Sequence, residues 1–592
     1  MKKLSTIIFT LFFSISLAAQ KQAPTPKCSL DLSKILVEQQ ANEVKSFDSL
    51  PKSVKIYTLA ADFFWKIDEP TARKYLLEAF ELADSKFKEK GFETKKNAQD
   101  FTYSDKDYRF EVINSIGKYD TVWAKKLTER VLSDFEKDDK ANRKEFDKDK
   151  EVKGILDFAM SVYDRNPQFA LSQLRGAMQY NLVSDWYWIL SELSAKNQNH
   201  ADQLFSEMLV KYSAAPISDL YDISDYPFGT GNIDGLGSSI SNDIPKSFLP
   251  NIILQEQFLT LILRRANSFE PNMTETLKNS WDEPDVAYLY HALRKFETVV
   301  QQRFPSIVDN WSAAKTQIYG YLSQKSLDKI SQTDGWQTQR NLSFSKQLEK
   351  VEKADSIGKN DDDSIYQLVE KARKLEDFFK AETWLDKIKD TKFRESVSLY
   401  FYFNLTGKAI SEKKLTEALK YAKKISDIGF RAIQLLKITE EKLKEKLVKP
   451  ETLEILFDVY QTALKADSSV AKTQVLFGLA FVYEKIDHQN ALNALSDGIL
   501  SINALENSQD VFSNNLMLVI RSEKFMHTMS VDSPGLNLEK VITELSKNDF
   551  SNTLNFANSF TDKYYRALSV IAIAKNCREV AKPAEKVIKI KP

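Results

Sequence analysis

The residue types that carry most enzyme chemistry are present in this chain, but not at the spacings that common sites require. The four histidines are too scattered to form a local set of metal ligands. No serine lies in the Gly-x-Ser-x-Gly turn of the α/β hydrolases, and no Gly-Lys pair is followed by the Ser or Thr that a nucleotide loop needs. The sequence therefore predicts no catalytic residue, cofactor or metal ion. The histidines are His200, His291, His488 and His527.

Carboxylates leave two alternatives open. The acid pair of a glycosidase can come from distant parts of a chain, so an all-α toroid-like enzyme acting on polysaccharide remains the alternative function. Asp222, Asp225 and Asp234 are conceivable ligands of a cation, but they lack the ligand order of a calcium loop. They lie in the least helical part of the chain, around the stretch PFGTGNIDGLGS at 227–238.

That stretch holds four of the sixteen glycines and predicts a loop insertion over 214–250. It does not match a dinucleotide fingerprint, since Asp234 stands where the third glycine belongs. Long loops often contribute to binding surfaces, so Phe228 is a candidate partner contact.

Aromatic residues supply the other candidates for binding. Trp186, Tyr187 and Trp188 are consecutive, and consecutive helical residues point in different directions. At least one of them must be exposed or covered by a neighbouring element. Core packing is the ordinary explanation, whereas an exposed ring would anchor a partner. The predicted partner-binding residues are therefore Trp186, Trp188 and Phe228.

The elements that would position such residues are helical hairpins. Three stretches share one pattern: a large residue, a small one, a bulky one three further on, and then two small residues bracketing a Leu. Small residues let two antiparallel helices approach closely, and such hairpins bury their remaining apolar surface by stacking on neighbours. The three copies are Leu59, Ala60, Phe63, Ala72, Leu76 and Ala79; Phe158, Ala159, Val162, Ala170, Leu174 and Ala177; and Leu479, Ala480, Tyr483, Ala491, Leu495 and Gly498.

The hairpin pattern resembles the tetratricopeptide-like repeat superfamily. The first helix of that family carries Leu, a small residue and Tyr, and the second carries Ala, a large residue and Ala. The early Trp of the family is Ile56 here, and its closing Pro is Asp84. The resemblance implies a superhelix with a concave face that binds protein or peptide, and it implies no catalytic residue.

A second signature occurs three times, and its first two copies are 37 residues apart, the period expected of two short helices and their turns. In each copy an Asp is placed to cap the next helix, and an Arg four positions later is placed to pair with it or to reach a neighbouring repeat. The copies are Ala381, Trp384, Ile388, Asp390, Phe393 and Arg394; Ala418, Tyr421, Ile425, Asp427, Phe430 and Arg431; and, with Thr553 in the leading place, Phe556, Phe560, Asp562, Tyr565 and Arg566.

Composition agrees with an all-α, α-solenoid fold of antiparallel hairpins. Only 16 of 592 residues are Gly and 16 are Pro, well below the roughly 7% and 5% of average proteins. The 83 basic and 83 acidic residues balance. A near-neutral chain lacks the positive field that nucleic-acid binding needs, so DNA and RNA are not expected partners.

The first residues are typical of an export signal. Lys2 and Lys3 precede an apolar stretch over 4–17 that is too short to span a bilayer, and Ala18 and Ala19 offer a cleavage site. We expect a periplasmic or secreted bacterial protein, soluble and without a membrane span once the signal is removed. The predicted segments are the signal peptide at 1–19, a flexible leader with the first helix at 20–50, hairpin repeats at 51–213, the loop insertion at 214–250 and further repeats at 251–592.

The two cysteines lie near opposite ends of the chain. Cys28 and Cys577 could pair in an oxidising compartment, but an open array of hairpins would hold its two ends apart. The sequence therefore predicts no disulfide between them unless the chain folds back or closes into a ring. The leading hypothesis is an exported, non-catalytic scaffold that binds an unidentified protein or peptide.

Overall fold

A computed structural model describes much of the chain between Cys28 and Val580. Outside the described residues lie 1–27, 91–93, 97–101, 105–106, 139–144, 230–247, 271–284, 329, 331–345, 347, 350, 354–360, 445–449, 507–510, 513–514, 523–525 and 581–592. The predicted signal peptide and most of the glycine-rich stretch, including Asp234, belong to these positions.

Helices make up nearly all of the regular structure in the described residues, so the predicted all-α class is confirmed. The exceptions are two small antiparallel hairpins of two strands each. The described residues divide into two compact units, a larger one from 41–438 with 516–531 and a smaller one from 28–40, 439–515 and 532–580. The predicted segment limits near 213 and 250 thus both fall inside the larger unit.

The larger unit holds most of the helices. Its elements are α2 Leu50–Phe64, α3 Glu69–Lys90, β1 Thr94–Lys96, β2 Thr102–Ser104, α4 Tyr108–Gly117, α5 Thr121–Asp138, α6 Glu145–Tyr163, α7 Pro167–Ala177, α8 Asp185–Lys211, α9 Ile217–Asp222, α10 Ile252–Asn267, α11 Asp285–Lys295, α12 Glu297–Arg303, α13 Val308–Tyr319, α14 Asp362–Lys374, α15 Phe378–Leu385, α16 Thr391–Ser411, α17 Leu415–Ala422, and the strands β3 Leu516–Arg521 and β4 Met526–Val531.

The smaller unit combines helices from both ends of the chain. It contains α19 Pro450–Lys465, α20 Val470–Tyr483, α21 His488–Asn503, α22 Leu538–Asn548, α23 Phe550–Asn558 and α24 Lys563–Val580. Two helices cross the limits between the units, α1 Leu30–Glu43 and α18 Ile428–Lys444. No described helix is both long and apolar enough to cross a bilayer.

The three predicted hairpins form as expected. Helices α2 and α3, α6 and α7, and α20 and α21 pack against each other in pairs. Their seam residues are buried apart from Leu59, which is half-buried. Close packing of small residues therefore joins each pair of helices, as their spacing predicts.

Successive hairpins of the larger unit also lie side by side. The first helices α2, α4 and α6 contact one another in order, and α8 contacts α6 and α10. Helix α8 is itself bent at Asn197, whose backbone is not helical (φ −161°, ψ 99°). These contacts are the kind that a helical repeat needs, while a solenoid through the whole chain stays a prediction.

One capping arrangement recurs at the turns between these helices. An Asp or Asn side chain accepts a hydrogen bond from the backbone N–H three residues later, which satisfies a donor that the helix itself leaves free. The capping residues include Asp68, Asp120, Asn166, Asn197, Asp377, Asp390, Asp427, Asp487, Asn537 and Asp549.

The second repeated signature is partly confirmed. Asp390 and Asp427 cap their helices as predicted. The arginines bind differently from the prediction, because Arg394 and Arg431 donate to backbone carbonyls six positions earlier, those of Ile388 and Ile425. Each of these arginines thereby satisfies a carbonyl of the turn that precedes its own helix.

The predicted loop insertion contains regular structure in its described part. Helix α9 and a short 3-10 turn, Tyr226–Phe228, lie within 214–250. Gly229 has a positive φ of 74° and ends that turn. The insertion is therefore less irregular than its composition predicts, at least before position 230.

The hairpin of β3 and β4 was not predicted. Its two strands pair in register from Leu516 with Val531 to Arg521 with Met526. Leu518 and Ile520 are buried, and β3 packs on α16. The five consecutive apolar residues of LMLVIR fit a buried strand and a buried helix segment equally well, so periodicity alone does not predict this hairpin.

Gly535 sits against the backbone of α20, and this leads to a prediction. A Cβ at Gly535 would lie 2.2 Å from the amide nitrogen of Gly478 and 2.4 Å from the carbonyl oxygen of Gln474. We expect Gly535→Ala to lower the free energy of unfolding by about 2–3 kcal/mol through overpacking. Urea unfolding followed by circular dichroism measures the change.

Gly176 in α7 provides the matched control, because a Cβ there meets nothing within 4 Å. Gly176→Ala should stabilise the chain by about 0.5–1 kcal/mol, since alanine favours a helix more than glycine does. Equal effects of the two substitutions would contradict the close approach at Gly535.

The expectation about the cysteines was wrong. Cys28 and Cys577 form a disulfide with their Cα atoms 5.5 Å apart. Both belong to the smaller unit, in which residues from the two ends of the chain fold together. Sequence distance did not separate them because the N-terminal segment packs with the C-terminal helices.

Candidate functional site

A cleft of about 430 Å³ lies beside the first hairpin of the larger unit. The turn before α2 forms one side, the first half of α2 a second and the last turns of α3 a third. Its apolar surface comes from Val44, Phe47, Leu50 and Leu82, and its polar lining is Lys45, Asp48, Ser53, Tyr57, Glu78, Glu81 and Lys86.

Tyr57 is a large buried side chain of the cleft, at 5% exposure. Burial, followed by the charge and the hydrogen bond of Glu78, raises its pKa to about 12. The phenol therefore stays protonated at neutral pH, and its hydroxyl donates a hydrogen bond to the Glu78 carboxylate. Its ring stacks on Tyr75, with centroids 6.1 Å apart, so Tyr57 is a fixed wall of the cleft.

The charges of the cleft differ in how far they are already neutralised. Lys86 lies 2.9 Å from Glu89, and Glu78 receives the Tyr57 hydroxyl and has Lys74 at 3.9 Å. No ion pair joins Lys45, Asp48 or Glu81 to another described residue. These three groups are available to a ligand that offers both an apolar surface and charge.

The predicted partner-binding residues lie elsewhere and do not come together in one site. Trp186 is fully buried, so it packs the core and offers no surface to a partner. Phe228 is also buried, stacked on Phe296 at 4.6 Å and edge-on to Phe258. Trp188 is 50% exposed with its ring edge-on to Tyr187, and only this residue keeps the geometry of a possible anchor.

Asp225, one of the three conceivable cation ligands, is already paired with a protein cation. Lys295 Nζ lies 2.5 Å from Asp225 Oδ1 and 3.2 Å from Ser224 Oγ, and 4.7 Å from the centre of the Tyr221 ring. The ammonium group neutralises Asp225, and within the described residues no group of three or more His, Cys, Asp or Glu side chains could hold a metal ion.

Aromatic rings and an arginine join the first two hairpins. The guanidinium of Arg73 lies 5.1 Å from the Trp65 ring and 5.2 Å from the Trp123 ring, and it pairs with Asp120 at 2.8 Å. Trp65 stacks on Tyr119, with centroids 4.5 Å apart. Because these rings cover one another, they link the hairpins and do not form an open binding surface.

The Asp120 carboxylate both caps a helix and pairs with Arg73, and two substitutions distinguish the contributions of these contacts to stability. Its carboxylate accepts the Trp123 N–H and pairs with Arg73. Asp120→Ala should lower the free energy of unfolding by about 1–2 kcal/mol through loss of the cap. Asp120→Asn keeps an acceptor oxygen and should cost less than about 1 kcal/mol, since Arg73 is partly exposed.

The same carboxylate gives a pH dependence with a defined sign. The Trp123 N–H, followed by Arg73, lowers the pKa of Asp120. A lowered pKa stabilises the fold above the unfolded value of about 4, and this stability is lost as the pH falls through the folded value. Unfolding measured from pH 7 to pH 3 should therefore show the difference between wild type and Asp120→Asn shrinking toward acid.

Sequence reasoning missed the cleft. The signal that was available is the pair Glu78 and Glu81, three apart on the polar side of α3. Such a pair is ordinary on a solvated helix face, and only the fold shows that Phe47 and Leu50 face it across a cleft.

Similarity to known proteins adds no further constraint on the site. No protein-family model matches this sequence, and no curated protein matches it.

Proposed function

We propose that this chain is an exported helical-repeat protein that binds a protein or peptide and does not catalyse a reaction. The cleft beside α2 and α3 is the observation that carries the proposal. It combines an apolar floor with groups of both signs that have no ion-pair partner among the described residues, and a peptide segment offers the matching chemistry. The resemblance to tetratricopeptide-like repeats supports the same class of ligand.

The disulfide supports the proposed location. Disulfides persist in the bacterial periplasm and outside the cell, whereas cytosolic thiols are kept reduced. Cys577 is 1% exposed and paired with Cys28, and an exported chain that folds in an oxidising compartment would form this bond. The signal-like sequence at 1–19 is consistent with this.

Photo-cross-linking tests the binding proposal. A photoreactive phenylalanine in place of Leu82 places the probe in the cleft. The same residue in place of Leu77, which is 41% exposed on the same helix and outside the cleft lining, is the control. After irradiation of the chain in its own cell envelope, we expect Leu82 and not Leu77 to give an adduct with another protein, identified by mass spectrometry.

Reversing the charge of Glu81 tests whether the cleft itself binds the cross-linked partner. Glu81→Lys should weaken the Leu82 adduct, because it changes one of the unneutralised charges of the cleft. No adduct at Leu82, or equal adducts at both positions, would overturn the assignment of the cleft. Trp188→Ala asks separately whether the exposed tryptophan contributes to capture of the same partner.

The polysaccharide-cleaving enzyme remains the second candidate because three carboxylates, those of Asp48, Glu78 and Glu81, line the cleft. A pair of carboxylates is the usual catalytic arrangement for glycoside hydrolysis. Release of reducing sugar from cell-wall polysaccharides that is abolished by both Glu78→Gln and Glu81→Gln would favour this candidate over the binding scaffold.

A further inference from the structure

The two cysteines of the disulfide differ in exposure. Cys577 is 1% exposed and lies within α24, a helix that packs on α22 and α23. Its Sγ also lies 3.5 Å from the carbonyl oxygen of Ser29, so the N-terminal segment covers it. Cys28 is only half-buried and lies before the start of α1. Helix packing therefore encloses Cys577 more completely than Cys28.

This difference in exposure bears on thiol–disulfide exchange at the bond. A thiolate attacks one sulfur of a disulfide and displaces the other, and the rate depends on access to the sulfur that is attacked. A reagent reaches Cys577 only after α24 and the N-terminal segment separate, and the bond itself holds these two together. An approach to Cys28 leaves α24 in place.

We propose that a disulfide-bearing oxidant reacts with this chain at Cys28 and that Cys577 then closes the native bond. In the first step, the Cys28 thiolate attacks the disulfide of the oxidant, forms a mixed disulfide and releases one thiolate of the oxidant. In the second step, the Cys577 thiolate attacks the Sγ of Cys28, forms the native bond and releases the second thiolate. The two cysteine thiols give up their protons to water, and two electrons pass from the cysteines to the oxidant.

The oxidant is defined by its chemistry, a reachable disulfide that accepts two electrons. Oxidised glutathione carries such a bond, and so does a protein oxidoreductase with a Cys-X-X-Cys disulfide. The chain has two cysteines in all. Within one chain, the mixed disulfide at Cys28 therefore proceeds to the native bond or returns to the free thiol, and no isomerase is needed to correct a wrong pairing.

Single-cysteine variants measure the access to each sulfur. Cys577→Ala leaves only Cys28, and Cys28→Ala leaves only Cys577. We expect folded Cys577→Ala to react with oxidised glutathione more than about 50-fold faster than folded Cys28→Ala, because a buried thiol reacts only when its surroundings open. Mass spectrometry of the intact chain follows the added glutathione, and circular dichroism checks that both variants are folded. In unfolding concentrations of urea the two rates should agree within about threefold.

Ser29 supplies a matched reference thiol. It is exposed and next to Cys28, so Ser29→Cys in a chain with both native cysteines replaced by Ala gives the rate of an open thiol in the same segment. Cys28 should react within about tenfold of that rate. A parallel series with the oxidoreductase identifies the source of the oxidising bond. Faster reaction of Cys28 with the oxidoreductase than with glutathione, at equal concentration, indicates a protein oxidant, and slower reaction indicates a small disulfide.

Equal rates for the two folded single-cysteine variants, or a faster rate at Cys577, overturn the proposal. If Cys28→Ala does not fold, the wild type supplies the measurement, because reduced glutathione attacks the native bond through the same opening. After brief treatment, acid quenching and peptide mapping, glutathione should be found on the peptide that holds Cys28. Glutathione on the peptide that holds Cys577, or on both peptides, contradicts reaction through Cys28.

Discussion

Removing the disulfide should lower the free energy of unfolding of the smaller unit by about 4 kcal/mol. The bond closes a loop between positions separated by 549 residues. Cross-linking distant positions restricts the unfolded chain, and the effect grows slowly with loop length. The smaller unit contains both 28–40 and α24, so loss of the bond acts mainly by giving the unfolded chain more freedom.

The measurement compares Cys28→Ala/Cys577→Ala with wild type in urea, with and without a thiol reductant. The double variant avoids a free buried thiol, and Cys577, at 1% exposure, makes a single variant harder to interpret. Reductant should shift the wild type to the stability of the double variant and leave the double variant unchanged. A wild type that is insensitive to complete reduction, confirmed by thiol titration, would contradict the structural role of the bond.

The disulfide also shows why part of the fold could not be predicted. The hairpin pattern predicts contacts between neighbours in sequence, because the seam residues of α2 and α3 repeat at a fixed spacing. The hairpin pattern carries no information about contacts between segments that are far apart in the sequence. The pairing of Cys28 with Cys577 depends on packing between segments at opposite ends of the chain, which no local signal encodes.

Helix caps were easier to predict than the hydrogen-bond partners of arginines. An Asp or Asn cap accepts from the N–H only three residues later, so Asp390 and Asp427 could be assigned from spacing alone. The arginines next to them have several acceptors within reach. Arg394 and Arg431 bind backbone carbonyls of the preceding turn, a choice that depends on the exact path of the chain between two helices.

The candidate site was the least predictable feature. Tyr57 lies on α2 and Glu81 on α3, and each has an ordinary neighbourhood in sequence. Their common cleft follows from the approach of the turn at Phe47 to α3. Of the three predicted partner-binding residues, Trp186 and Phe228 are buried and Trp188 is exposed, and the sequence alone does not show which aromatic residue packs in the core.

A buried arginine gives the other large expected effect. Arg109 is 1% exposed, donates to Asp107 at 2.7 Å and lies 3.6 Å from Asp84. Its guanidinium also lies 3.5 Å from the centre of the Phe87 ring. Asp84 lies inside α3, which continues past it to Lys90. Arg109, Asp107 and Asp84 therefore form a buried cluster of charges beside α3.

Arg109→Met should lower the free energy of unfolding by about 3–5 kcal/mol, because it leaves the carboxylate of Asp107 buried without a counter-charge. Arg130→Met is the matched control. Arg130 pairs with the same Asp84 at 3.0 Å but is 48% exposed, so its loss should cost less than about 1 kcal/mol.

Adding Asp107→Asn to Arg109→Met should restore part of the stability, since the uncompensated charge is then removed while the cap of α4 is kept. If the double variant were less stable than Arg109→Met, the penalty would come from lost packing on Phe87 and not from the stranded carboxylate.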